Sequence, residues 1–390
     1  MKKLFYTSLL GLIFFEIANV YFIMPLPGSQ EMNSIDVAYF LYTWRWFFRI
    51  GWGSIALFAF FKTTWLRKIA PLSIISLWVI VVYATNFEMA ADTMFYQPSQ
   101  LFARNALENK VDTSRLIIGI ALKDAAKAYP IQFIGYHHQV TDTLAGQPIM
   151  VTYCTVCRTG RVYSPTVNGK NETFRLVGMD HFNALFEDKT TGSWWRQSTG
   201  EAITGKLKGT LLPELPSAQM ALGQWFTLHP NSLVMQPDPK FQVQYDSMSV
   251  YETRGKSDLT RTDSLSWRKK SWVVGIKTPD AAKAFDWNRL KTERVINDFV
   301  GKTPIVLALA NDGKSFVAFE RPTALSVFTL NNNTLLCNGL SYNLNGQALS
   351  KPPFRRNPIG SVLSNNLKRI NAYQEFWHSW ETFNLGTEKY

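Results

Sequence analysis

Ile117-Ile118-Gly119-Ile120, followed by Asp124-Ala125-Ala126-Lys127-Ala128-Tyr129, is the stretch on which the fold turns, because it is written twice. Val273-Val274-Gly275-Ile276 and Asp280-Ala281-Ala282-Lys283-Ala284-Phe285 repeat it at a constant offset of 156 residues. At the same offset Pro148-Ile149 returns as Pro304-Ile305 and Asp142 as Asp298. Gly200-Glu201-Ala202-Ile203 returns as Gly346-Gln347-Ala348-Leu349 at an offset of 146, which implies a ten-residue deletion in the later copy. A fixed offset held from Ile117 to Ile149 is the signature of an internal repeat. Two related units are expected, residues 116–236 and a more degenerate 272–390, joined by a polar connecting segment, 237–271.

Each unit reads as β-rich with short helices. Leu116 to Leu122 is a strand, and Pro148 to Tyr153 is a β-branched, apolar run bounded by Gly146 and a pair of cysteines. Arg161 to Ser164 is placed to return from that run. Thr173 to Val177 is a further strand after the turn Asn168-Gly169-Lys170-Asn171, and Ala218 to Leu228 is expected as a short helix. The fold class is α+β.

Upstream the pattern changes. Leu4 to Met24, Trp46 to Phe61 and Ile69 to Phe87 are apolar runs, and a helix of about 20 apolar residues crosses a bilayer. Residues 1–87 are therefore expected to form a three-helix transmembrane segment, spans about 4–24, 46–61 and 69–87, with 88–115 as a linker. A cleaved signal peptide is the competing reading of the first run, but Pro25-Leu26-Pro27 follows it rather than a small-x-small site. Lys2, Lys3, Lys62, Arg67 and Lys68 lie on one side of the spans, which puts the N-terminus in the cytoplasm. Three spans from there deliver the large C-terminal domain to the periplasm or exterior of a bacterial inner membrane, an oxidising compartment. Glu16 and Arg49 are the ionisable residues inside the spans. Intramembrane carboxylates are functional by default; for Glu16 the reading favoured is a protonated carboxyl bonded to a neighbouring helix or a partner subunit.

The composition excludes several classes. In 390 residues, 14% are aromatic and 18% charged, which is not a disordered chain. Three cysteines cannot staple a protein of this size. The formal net charge is +12, of which the seven basic and three acidic residues before residue 88 account for +4. The remaining +8 forms no stripe interleaved with aromatics, so a nucleic-acid partner is not expected. No P-loop, dinucleotide fingerprint or Gly-x-Ser-x-Gly elbow occurs, so no nucleotide cofactor is expected either.

What chemistry remains gathers in one copy. Cys154-Thr155-Val156-Cys157 has Ala310 and Gly313 at the matching positions, and His137 and His138 have Glu293 and Arg294. Core residues belong in both copies; residues confined to one suggest a site. A thioredoxin-type pair needs a helix starting at the first cysteine, whereas here a strand-like run follows, so a hairpin knuckle is expected. Two thiolates on such a turn can chelate zinc or a soft ion such as copper, with His137, just before the incoming strand, and His229 to complete the set. A redox-active disulfide and a plain structural disulfide are the other two readings, and the residues leave all three open. Arg158 stands where a c-type haem motif has histidine, so haem c is excluded.

These residues together resemble the bacterial domain-of-unknown-function family 3179 (DUF3179), whose pattern runs Trp-His-Glu-x-x-Asn-Asp, Gly-x-Pro, Tyr-Cys-x-x-Cys-Gly, Asp-x-x-Thr-x-Ser-x-Trp-x-Gln, Gly-Glu-Ala and His-Pro. The matches are His137 and Asp142; Gly146 and Pro148; Tyr153, Cys154 and Cys157; Asp188, Thr191, Ser193, Trp195 and Gln197; Gly200, Glu201 and Ala202; and His229 with Pro230. Tyr136, His138 and Arg158 depart from it. If the glycine after the second cysteine needs a positive φ, Arg158 alters the knuckle. The resemblance covers 115–236 well and the later copy weakly. His138, Asp142, Asp188, Trp195, Gln197 and Glu201 are expected as pocket or supporting residues, and the resemblance implies no particular reaction.

Two functions follow. One is a membrane-anchored periplasmic protein with a Cys/His site for copper or for thiol–disulfide chemistry. The other is a non-catalytic subunit of a larger inner-membrane complex, in which the spans pack against lipid and partner subunits and the repeated domain is a binding platform. Whether the chain is an enzyme is left open.

Overall fold

The computed structural model describes residues 1–66, 69–252, 257–349 and 366–390. Arg67 and Lys68, which carry part of the expected orientation, lie outside the described residues, as do 253–256 of the connecting segment and 350–365 of the later repeat. The chain divides into two compact units, Met1–Tyr96 with Glu172–Leu211, and Gln97–Asn171 with Leu212–Tyr390. Residues 172–211, which fall inside the first repeat as read from sequence, thus belong to the unit that holds the apolar helices.

In that first unit the helices are Lys2–Tyr21, Ile35–Thr43, Arg45–Phe61 and Ile69–Tyr83, the last running on through a π turn, Ala84–Glu88. Among the described residues, two helices, Lys2–Tyr21 and Ile69–Glu88, are long and apolar enough to cross a membrane. This corrects the expectation of three. The run expected at 46–61 is a helix of 17 residues, and at 1.5 Å per residue it falls short of a hydrocarbon core about 30 Å thick. Its Arg49 has a specific partner. Arg49 Nε and Nη2 donate to the two oxygens of Glu16, each at 2.7 Å, and Nη2 also donates to Asn86 Oδ1 at 2.7 Å. Asn86, in the π turn, donates back to Glu16 Oε2 at 3.0 Å. Glu16, expected to be bonded to a neighbouring helix or a partner subunit, is the centre of a triad linking three helical segments. Each charge would be costly in apolar surroundings alone, and the fork geometry meets both together.

The remainder of this unit is an antiparallel meander: Phe174–Asp180, Asn183–Asp188, Trp194–Arg196 and Ala202–Thr204. Its apolar face (Val177, Leu185, Trp194, Ile203) packs on Ile23 and Ala38.

The second unit runs twice through one set of elements. In its earlier half, strands Leu116–Leu122 and Ala125–Pro130 pair antiparallel, and helix Ile131–His137 follows. In its later half Trp272–Lys277 pairs with Ala282–Asp286, and helix Trp287–Glu293 follows. One left-handed residue ends each helix, His138 (φ 61°) and Arg294 (φ 65°). A hairpin comes next, Gln139–Leu144 with Gln147–Cys154, and Val295–Val300 with Thr303–Leu309. The outer strand of each sheet enters from further along the chain, Gln219 opposite Ile118 and Gln374 opposite Val274.

Helices Leu222–Leu228 and Trp377–Phe383 close the two halves. Ala218–Ala221, expected within a helix, is a strand, because its edge completes the ladder on Leu116–Gly119. Trp225 and Trp380 lie on Gly119 and Gly275; a Cβ there would meet the indoles at 2.5 and 2.1 Å. Each indole N–H is taken by a hydroxyl, Ser232 at 2.7 Å and Thr387 at 2.8 Å. The two halves meet at Gln219, whose Nε2 donates to Gln374 Oε1 at 2.6 Å.

Candidate functional site

The two cysteines sit in the hairpin that leads out of Gln147–Cys154 and back through Thr159–Tyr163, with Cys154 paired to Thr159 across the turn. Their position follows from the strand: an eight-residue apolar run buries its last six residues and must turn when Thr155 is reached. Both are thiols, Cys154 2% and Cys157 0% exposed. The Cys157 backbone N–H donates to Cys154 Sγ at 3.4 Å, and the Cys157 thiol is hydrogen-bonded to the Cys154 side chain and to Ser379. Burial pushes the Cys157 thiol well above the ordinary range; Cys154 adds to the rise, Ser379 opposes it and the charge of Glu375 adds again.

The later half of the unit thus closes over the turn. Phe376 N–H donates to Cys157 O at 3.0 Å. Ser379 Oγ donates to Glu375 Oε2 at 2.6 Å, and Arg161 Nη2 donates to Glu375 Oε1 at 2.8 Å. Arg161 also lies 3.4 Å over the Tyr373 ring. Arg161, Glu375 and Ser379 are all buried. None was singled out in the sequence, yet a signal existed: Gln219, Trp225 and Thr227 recur as Gln374, Trp380 and Thr382 at an offset of 155. That register sets Glu375 against Met220 and Ser379 against Gln224, residues of one copy only.

Arg158 has φ 59°, the conformation that would suit a glycine there. Its guanidinium lies 3.6 Å over Tyr251 and donates to Thr260 O at 2.9 Å, while Nε, buried, has no hydrogen-bond partner among the described residues. A cation therefore sits in an aromatic box directly after the cysteines. Tyr251 also donates its hydroxyl hydrogen to Thr155 O, so the connecting segment holds the tip of the turn.

His378, which the sequence gives no reason to select, touches the turn as well. Its imidazole is hydrogen-bonded to the backbone of Val156, and its backbone N–H donates to Lys269 O at 2.9 Å. Burial, with Lys270 assisting, lowers its pKa to about 4. Histidine outside the fold titrates near 6.5, so the unfolded chain binds more protons between those values. The stability this imidazole contributes is full above pH 6.5 and is lost as pH falls toward 4, on the order of 3 kcal/mol. Thermal melts of wild type and His378→Gln from pH 7 to 4 should show the smaller loss in the variant; equal slopes would contradict the assignment.

The other expected site residues are placed as follows. His137, fully buried, has its Nε2 2.6 Å from the Tyr245 hydroxyl and packs edge-on against Phe241. His138 Nδ1 is 3.2 Å from Tyr136 O, and burial lowers its pKa to about 4. Asp142 accepts from Lys127 and, at 2.8 Å, from the Tyr129 hydroxyl. His229 stacks on Trp225, ring centres 4.1 Å apart, with Asn345 Nδ2 3.4 Å from its Nε2. Among the described residues no group of three or more His, Cys, Asp or Glu side chains is arranged to hold a metal ion.

Asp188, Trp195, Gln197 and Glu201 belong to the other compact unit. There Asp188 accepts from Thr191 Oγ1 (2.8 Å), Ser193 N (3.1 Å) and Trp195 Nε1 (2.9 Å), which fixes one hairpin turn. Gln197 Oε1 accepts from Asn183 Nδ2 at 3.0 Å, and Trp194 and Trp195 are core residues. Glu201 contributes its backbone, bridging to Leu211 and accepting from Arg196 N.

A family model described as "protein of unknown function (DUF3179)" matches residues 98–387. The chain belongs to the DUF3179 family. The match runs through both halves of the second unit, including Glu375, His378 and Ser379, so these three lie inside the DUF3179 region along with the cysteines. No curated protein and no solved structure matches the chain.

Proposed function

We propose that this DUF3179 protein is anchored in the bacterial inner membrane by its apolar helices and exchanges thiols and disulfides through Cys154 and Cys157. The observation that carries this is the hydrogen-bonded thiol pair in a single turn, with Arg158 beside it. Among the described residues neither His137 nor His229 is positioned with the cysteines as a third ligand, so the donor set suits two sulfurs better than copper or zinc. The matching registers of the two halves support an origin by duplication.

In the exchange, the Cys154–Cys157 disulfide plus two thiols of a substrate give two protein thiols and one substrate disulfide; two electrons and two protons pass to the pair. Access requires Thr155, the partly exposed residue of the turn, to be released by Tyr251.

The test is thiol counting and metal analysis on protein purified from membranes in mild detergent. Oxidised protein should lose the two thiols of Cys154 and Cys157 and regain them with dithiothreitol, with no stoichiometric metal. Stoichiometric copper or zinc that disappears in Cys154→Ser would replace this reading with the metal one.

A further inference from the structure

The connecting segment has no counterpart in the repeat, and it builds a cleft of about 480 Å³ whose lining includes Asp258, Arg261, Thr262, Asp263, Lys269 and Lys270. Both walls of this cleft are tied to the cysteine turn. Arg158, the residue after Cys157, donates from Nη2 to Thr260 O at 2.9 Å, which fixes the wall that carries Arg261. Phe376 N–H donates to Cys157 O at 3.0 Å, and two residues on His378 N–H donates to Lys269 O at 2.9 Å, which fixes the wall that carries Lys269 and Lys270. Asp263 N–H donates to Lys270 O at 3.0 Å and joins the two walls. The charge in the cleft is unbalanced. Asp263 Oδ1 is occupied by Leu265 N at 2.9 Å, and exposed Asp258 stands 3.9 Å from Arg261. Lys270, partly buried, has no ion pair among the described residues. A cleft with an excess of one sign of charge raises the local concentration of ligands of the other sign. Its volume lies within the range of about 300–1,000 Å³ found for small-molecule sites.

We infer that this cleft docks the redox partner of Cys154 and Cys157, and that the partner is a small carboxylate-bearing thiol together with its disulfide. This rests on the thiol–disulfide reading above and gives it a substrate class. Lys270, Lys269 and Arg261 pair with the carboxylates of the partner, while the sulfurs react with the cysteines in the turn to which both walls are anchored. The same segment supplies Tyr251, whose hydroxyl holds Thr155 O, so the partner docks on the chain that must let go before the buried sulfurs are reached. In the direction that oxidises the protein, one cysteine thiolate attacks the substrate disulfide, forming a mixed disulfide and releasing one substrate thiolate. The other cysteine then displaces the second substrate thiolate and closes the Cys154–Cys157 bond. Two electrons pass from the pair to the substrate, and the two protons of the cysteines end on the two released thiols.

The experiment reduces the full-length protein in detergent and follows its oxidation, by alkylation and mass, with three small disulfides: glutathione disulfide, which is anionic, hydroxyethyl disulfide, which is neutral, and cystamine, which is cationic. Each variant is compared with wild type on the same probe. Lys269→Gln with Lys270→Gln should slow oxidation by glutathione disulfide about tenfold at low salt, leave hydroxyethyl disulfide unchanged and leave cystamine unchanged or faster. About 0.5 M salt should shrink the difference between wild type and variant on glutathione disulfide, because the cleft is open to solvent. A second measurement needs no redox step: reduced glutathione titrated calorimetrically into Cys154→Ser should bind, and should bind about tenfold more weakly when the two lysines are also replaced. Equal slowing on all three probes, no slowing on glutathione disulfide, or glutathione binding indifferent to the lysines overturns the role of the cleft. A wild-type dithiol that none of the three disulfides oxidises overturns the redox reading itself, and the calorimetric titration still decides whether the cleft takes the anion.

Discussion

Glu375→Ala is expected to destabilise the second unit by about 3–5 kcal/mol, the loss typical of removing one partner from a buried ion pair. Arg161 is the reason. It is 3% exposed, and Glu375, 1% exposed, is its closest carboxylate at 2.8 Å. The remaining carboxylate, Glu214, stands at 3.9 Å and is a third exposed, so it cannot replace a desolvated, hydrogen-bonded partner. The Tyr373 ring keeps a cation–π contact, but this is worth about 1–2 kcal/mol. The variant also takes away the acceptor of Ser379. Two companion variants sharpen the result. Glu375→Gln keeps the shape and one acceptor oxygen, and should lose less. Arg161→Met with Glu375→Met removes both charges, and should recover most of the stability, since paired apolar replacements of buried ions are often neutral. Urea unfolding followed by tryptophan fluorescence measures all three. A loss under 1 kcal/mol in Glu375→Ala would mean that Arg161 finds another partner.

That cluster also shows where the sequence stops being legible. The strand pairs, the helix after each and the hairpin carrying the cysteines can be read from the offset of 156, because a duplicated pattern constrains two places at once. The positive φ of Arg158 could be anticipated from its standing where the family pattern has glycine. Ser379 and Glu375 could not be connected to Cys157 by spacing: more than 200 residues separate them, and the offset falls to 146 and then rises to 155 across residues 350–365, which breaks the alignment just before the corner that matters. His378 looked incidental for the same reason. His137, expected beside the cysteines, spends its Nε2 on Tyr245, a residue of the connecting segment for which a polar, non-repeating stretch gives no register. In the first unit, hydropathy found the helices but not their division of labour: Arg49 stood out as an ionisable residue inside an apolar run, and its contact with Glu16 and Asn86 explains why it is there.

Gly275→Ala should be as damaging, for a reason that involves no charge. A Cβ at Gly275 would lie 2.1 Å from Cε3 and 2.2 Å from Cζ3 of Trp380. Neither side can yield without cost. The strand Trp272–Lys277 is hydrogen-bonded on both edges, to Ala372–Phe376 and Ala282–Asp286, and Val274 and Ile276 are fully buried. Trp380 is 1% exposed and pinned by its 2.8 Å bond to Thr387. The methyl must therefore displace the indole, and losing a buried tryptophan's packing costs about 3–5 kcal/mol. Gly119→Ala meets Trp225 at 2.5 Å in the earlier half and should cost slightly less. Gly53, in an apolar helix with nothing within 4 Å of its would-be Cβ, is the control: alanine there should be neutral or stabilise by up to about 1 kcal/mol through helix propensity. The decisive comparison is the double variant. If the clash is with Trp380, Trp380→Leu should cost stability in the wild-type background and restore part of it in Gly275→Ala, giving a coupling of about 1–3 kcal/mol in a double-mutant cycle. Additive losses would show that the glycine is needed for something other than room for the indole.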